Sequence, residues 1–235
     1  MPPFSIGFFM KALALFGSTA RCEREIDSDI DLLGVYDKTT IHYSSESIVN
    51  LYLYPEKLLI DKMETGDLFA LHLVKEALPI HGGECLKEIF SAFKYKQDYS
   101  YEINTALFIS KILIKNYTSI ANKAIVNKKL AWCLRTIIIA ISAQDKKPVF
   151  SKRSISEYIK LPSFTATEIL YFINTKRIKH ALPIEYIERY DTLFNEISSP
   201  YYVNDQFYKD PLVMDILFSV GLIHSSSKSQ SASYS

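Results

Sequence analysis

Gly17-Ser18, followed after ten intervening residues by Asp29-Ile30-Asp31, is the part of this chain whose residue types and spacing can do chemistry. Side chains two apart on a strand share a face, so Asp29 and Asp31 are expected to project together while Ile30 and Leu32 pack behind. Two carboxylates held side by side repel unless a cation sits between them. Hard oxygen ligands of this kind suit magnesium, which takes one or two protein carboxylates and completes its shell with water and phosphate oxygens. Gly17 allows a sharp turn and close approach of backbone to a ligand. Ser18 is expected to N-cap a short helix through Thr19, Ala20 and Arg21, whose unpaired N–H groups suit phosphate oxygens. Arg21 would add a charged fork to the same phosphates. A phosphate cradle beside a metal-binding pair makes a nucleoside triphosphate site, and the chemistry of such a site is displacement at phosphorus.

A Gly-Ser turn is common, and acids gather in any solvated loop such as the stretch from Glu23 to Asp29. That simpler reading leaves Asp31 unexplained, because it lies within the apolar run Ile30-Asp31-Leu32-Leu33-Gly34-Val35-Tyr36. A charge on a half-buried strand is costly unless it is paired or metal-bound.

The elements that must position these residues can be read on either side. The apolar run Ala12 to Phe16 leads into the Gly-Ser turn as a strand, and the run from Ile30 to Tyr36 is a second. After a polar stretch from Asp37 to Ser47, Ile48 to Tyr54 is rich in β-formers and stopped by Pro55, which makes a third strand. Glu56 to Met63 and Asp67 to Leu78 read as helices separated by Thr65-Gly66. Pro79 and His81-Gly82-Gly83 close this segment, so a first domain is expected over 1–83.

From Glu84 the periodicity is helical: Leu86, Ile89, Phe90, Phe93; then Ile103, Ala106, Ile109, Leu113; then Val126, Leu130, Leu134, Ile137, Ile141. Further helices are expected over Ser154 to Lys160, Thr165 to Arg177, Glu185 to Ile197 and Leu212 to Val220, punctuated by prolines. The expected class is α+β, a small mixed sheet followed by an antiparallel all-α bundle over 84–223 and a disordered Ser-rich tail over 224–235.

A chain of 235 residues with net charge +1 offers no global electrostatic case for nucleic-acid or membrane binding. Cys22, Cys85 and Cys133 are widely spaced and form neither a disulfide framework nor a zinc motif, which points to a reducing cytoplasm. The five histidines show no metal-ligand spacing. Phe4 to Phe16 lacks the basic flank of a signal peptide and is interrupted by Lys11, and Thr136 to Ile141 is too short to cross a bilayer.

The wider pattern, Leu15-Phe16-Gly17-Ser18-Thr19-Ala20-Arg21 with Ser28-Asp29-Ile30-Asp31-Leu32-Leu33, resembles the signature of the polymerase-β-like nucleotidyltransferase superfamily. It is most similar to small bacterial members: the minimal nucleotidyltransferases paired with HEPN toxins, and the aminoglycoside nucleotidyltransferases, whose second domain is also bundle-like. The resemblance covers about the first third of the chain and combines two half-motifs with a fixed gap. It implies that Asp29 and Asp31 are catalytic and hold Mg2+, with Gly17, Ser18 and Arg21 on the nucleotide. The implied substrate is ATP or another nucleoside triphosphate, with AMP moved onto a protein or RNA acceptor, in a toxin–antitoxin or defence setting with a cognate partner. Transfer to a small antibiotic and an inactive nucleotide-binding scaffold are the alternatives.

The superfamily adds a third carboxylate from a later strand, and here the chain departs: Ile48 to Tyr54 carries Asn50 instead. Three readings stand open: the acid comes from elsewhere, with Glu64, Glu76 and Glu84 as candidates, or one metal suffices, or activity is lost. Arg177-Ile178-Lys179-His180 does not match the spacing of a HEPN ribonuclease and reads as a basic helix end. Lys146-Lys147 and Lys152-Arg153 have the charge to meet a phosphate or nucleic-acid acceptor, and read more simply as solvated loop positions.

Overall fold

A computed structural model describes residues 9–26, 28–198 and 205–223. The expected Ser-rich tail (224–235), the start of the run from Phe4 and Asp27 lie outside the described residues. The chain divides into two compact units, Met1–Lys96 and Gln97–Ser235.

The first unit is a five-stranded mixed sheet in the order β3-β4-β2-β1-β5. Its strands are β1 Met10–Phe16, β2 Ile30–Tyr36, β3 His42–Glu46, β4 Val49–Pro55 and β5 Leu78–His81. β2 and β4 run parallel and the other pairs antiparallel. Helices α1 Gly17–Ala20, α2 Glu56–Glu64, α3 Leu68–Glu76 and α4 Gly83–Ser91 complete it. Ala12, Ala14, Phe16, Leu33, Val35 and Tyr54 share one sheet face and pack on Leu59, Met63, Phe69, Leu73, Leu86 and Ile89 of α2, α3 and α4. The core is therefore on the face of Leu33 and Val35, which by alternation is the face of Asp31. Ile30 and Leu32, expected to pack behind the acids, are only half-buried on the other face.

Two strands escape the sequence pattern. β3 falls in the polar stretch from Asp37 to Ser47, and only Ser44 of its five residues is partly covered, so it has no apolar alternation to reveal it. β5 contains Pro79 and is exposed throughout, an edge strand recruited by pairing with β1.

The first unit extends beyond the expected end at 83. Leu86 and Ile89 of α4 belong to its core, and the Lys94 N–H donates to Met63 O at 3.0 Å. Gly66 makes that closure possible: its φ is +67°, and a Cβ there would come within 2.5 Å of Lys94 O.

The second unit, as described, is helical: α5 Ser100–Lys115, α6 Lys123–Gln144, α7 Lys152–Tyr158, α8 Ala166–Asn174, α9 Ile184–Ser198 and α10 Pro211–Ser219. α6 packs with α5, α7 and α8, and α5 also meets α9 and α10. α8 stops at Asn174, short of the expected Arg177, and a 3-10 turn covers Thr175–Arg177. Its start is set by a capping box in which Thr165 and Glu168 satisfy each other's backbone N–H groups. The architecture is α+β, as expected. Among the described residues no helix is long and apolar enough to cross a membrane.

Candidate functional site

β1 delivers Phe16 and the turn at Gly17 to the end of the sheet, and the β1–β2 register sets Phe16 opposite Asp31. Gly17 adopts φ +75°, and a Cβ there would stand 3.0 Å from Asp31 Oδ2. The carboxylate thus lies against the bare face of the turn, which explains the glycine chemically as well as conformationally. α1 begins at Gly17 with Phe16 as its N-cap, so Ser18 lies inside the helix and is not its cap. A helix this short leaves its first-turn N–H groups without intrahelical partners. The Thr19 hydroxyl donates to Asp29 O at 3.3 Å, fastening the end of the acidic loop to α1.

Asp29 immediately precedes β2 and is exposed, whereas Asp31 is half-buried. Both act electrostatically on one neighbour, Tyr52. The Tyr52 hydroxyl is pushed up by burial first, then by Asp31, Tyr43 and Asp29, so it remains a neutral phenol. Parallel pairing of β2 and β4 sets Asn50 beside Asp31 and Tyr52 beside Leu33. Asn50 Nδ2 donates to Asp31 Oδ1 at 3.1 Å, and the Tyr43 hydroxyl donates to Asn50 Oδ1 at 3.0 Å. Phe16, Tyr52 and Phe69 form an aromatic floor, with ring centroids 5.7 to 6.3 Å apart.

Arg21 is the C-cap of α1, and its guanidinium is engaged by acids: Nε meets Glu23 Oε2 at 2.8 Å, and Nη1 donates to Glu76 Oε2. Glu76 also contacts His72 Nε2 at 2.7 Å. Candidate Glu76 is therefore committed to Arg21 and His72. Glu64 pairs with Lys94 at 3.8 Å, and Glu84 pairs with Lys87 at 3.9 Å on an almost fully exposed surface. Among the described residues no group of three or more His, Cys, Asp or Glu side chains is gathered to hold a metal ion.

The structure thus brings Gly17, Asp29, Asp31 and Asn50 to one end of the sheet, with Ser18 next in the turn. The donor set, two carboxylates with an open glycine beside one of them, fits a single magnesium ion that shares its shell with phosphate oxygens. Sequence reasoning missed Tyr43, hidden in an apparent loop, and Tyr52, whose two-residue offset from Asn50 would have marked it once the β2–β4 register was known.

Arg177 and His180 are both exposed. The backbone carbonyls of Ile178 and His180 accept from Asn127 Nδ2, so this segment is held down as structure. Arg153 pairs with Glu157 at 2.9 Å, and Lys146 and Lys147 are exposed.

No protein-family model matches the chain, and no curated protein sequence does. Among solved structures it is similar to the crystal structure of a nucleotidyltransferase-like protein from Exiguobacterium sibiricum. The two are 12% identical, and the alignment covers 90% of this chain and 73% of that one at a TM-score of 0.36.

Proposed function

We propose that this chain is a nucleotidyltransferase that moves a nucleoside monophosphate, AMP from ATP, onto a macromolecular acceptor. The observation that carries the reading is the close approach of the Asp31 carboxylate to the left-handed Gly17 turn, with Asp29 two residues earlier, just before β2. Asp29 and Asp31 would hold magnesium, which when bound neutralises charge on the triphosphate and on the departing pyrophosphate. The backbone N–H groups at Gly17 and Ser18 would face the β- and γ-phosphates, fixing the α-phosphorus for in-line attack. Arg21 would join them by exchanging a carboxylate partner for phosphate. Tyr52, kept protonated, offers a neutral hydroxyl beside the acids.

Antibiotic modification needs an acidic cleft for a polycation, and the helical half carries no concentrated acidic stretch, which supports a protein or RNA acceptor. A toxin–antitoxin or defence role with a cognate partner belongs to the same proposal, as does a cytoplasmic location.

The test is transfer of α-labelled ATP, with magnesium, to a cell lysate. Label should appear on a macromolecule with the wild type and be lost in the double variant Asp29→Ala/Asp31→Ala. Equal labelling by the two, or none by the wild type, would sink the proposal. Asn50 favours a second reading, a nucleotide-binding module without turnover, because an amide stands where a further acid would assist the acceptor. That module would bind triphosphate and release no pyrophosphate with any acceptor.

A further inference from the structure

The side chain facing Asp31 from β4 is an amide that turns its donor end toward the acids. Asn50 Nδ2 donates to Asp31 Oδ1 at 3.1 Å, while its carbonyl oxygen accepts from the Tyr43 hydroxyl at 3.0 Å. Reversing the amide would set two acceptor oxygens against each other, so Asp31 fixes the orientation and Tyr43 holds it. The one oxygen Asn50 could offer a metal is therefore directed at Tyr43 on the edge hairpin β3–β4.

The charge balance runs the same way. Asp29 and Asp31 supply two negative charges, which match one divalent cation. Glu64, Glu76 and Glu84 are each paired with bases. A pair of cations bridging the two reacting oxygens sits about 3.5–4 Å apart and repels strongly unless anionic ligands surround both. The described residues provide no third anion at the acid pair.

We infer that this site takes one divalent cation together with its nucleoside triphosphate, because position 50 offers an amide, locked by Tyr43 and Asp31, in place of the third anion a second cation would need. The inference rests on the proposed triphosphate site and deepens it. Asn50 acts here as a positioning residue: it holds Asp31 by one hydrogen bond and brings no negative charge of its own to the acid pair.

The experiment counts manganese bound per full-length chain by equilibrium dialysis at a saturating concentration of a non-hydrolysable ATP analogue, read by electron paramagnetic resonance. Wild type should hold one manganese per chain. Asn50→Asp, which replaces the amide by a third carboxylate, should hold two, and the resonance should broaden from coupling between neighbouring ions. Asn50→Ala removes the amide without adding charge and should remain at one. A wild-type count of two, an Asn50→Asp count of one, or an Asn50→Ala count of two would each overturn the inference and leave the triphosphate site standing. A wild-type count of zero would overturn both.

Discussion

Two asparagines, one in each unit, show how differently the halves of the molecule use polar side chains. Asn127 on α6 is fully buried and all of its contacts are structural: Nδ2 donates to Ile178 O at 2.9 Å and His180 O at 3.0 Å, and Oδ1 accepts from the Tyr117 hydroxyl at 2.9 Å. The Tyr117 oxygen accepts in turn from the Leu182 N–H at 2.8 Å. The amide and the phenol between them answer backbone groups of the segment from Ile178 to Leu182. Asn50 is half-buried and serves a carboxylate, not the backbone. The half-buried amide of the first unit stands beside a carboxylate at the end of the sheet, whereas that of the second closes internal packing.

The sharpest way to break this comparison is to remove each polar centre in turn. Asn127→Ala removes a fully buried amide that holds the Ile178 and His180 carbonyls and the Tyr117 hydroxyl, and should cost roughly 2–3 kcal/mol in denaturant unfolding. Asp31→Asn should change unfolding stability by less than about 1 kcal/mol, because the side chain is only half-buried and the amide keeps its shape. Equal losses in the two variants would mean that Asp31 is a structural residue.

Gly17→Ala comes next. The left-handed φ should cost about 1–2 kcal/mol. The added methyl, 3.0 Å from Asp31 Oδ2, should also weaken triphosphate binding well beyond the stability loss. Calorimetry on the folded variant checks this, and unchanged affinity would separate the turn from the site.

The smallest effect lies in the second unit and is a pH dependence. The Thr165 backbone N–H first, then Arg189 and the Thr165 hydroxyl, hold the Glu168 carboxyl down at about 2. A folded pKa below the unfolded one gives stability that is present above the ordinary glutamate range and is lost as pH falls from about 4.5 toward about 2. Glu168→Gln should flatten that slope in acid unfolding and leave nucleotide binding unchanged. Loss of binding in this variant would tie the capping box to the site.

Much of the site's scaffold was legible because the chemistry and the strand pattern coincide. Gly17 interrupts an apolar run, and Asp31 is an acid inside one, so both stand out against their neighbours. β2 occupies the whole of the expected apolar run. β3 and β5 were not legible, since edge strands with exposed side chains are specified by their partners and not by their own alternation. Tyr43 was lost with β3. The extent of the first unit was misread because α4 has the same helical period as the bundle, and only packing assigns Leu86 and Ile89 to the sheet. Arg21 had the right charge and spacing for phosphate, but spacing could not reveal Glu76, which arrives from α3.

The most direct measurement of the central claim is a calorimetric titration of a non-hydrolysable ATP analogue into wild type and Asp31→Asn, with and without magnesium. The account expects saturable binding to wild type that requires magnesium and is lost in Asp31→Asn. Binding of equal strength in the variant, or in the absence of magnesium, would contradict it.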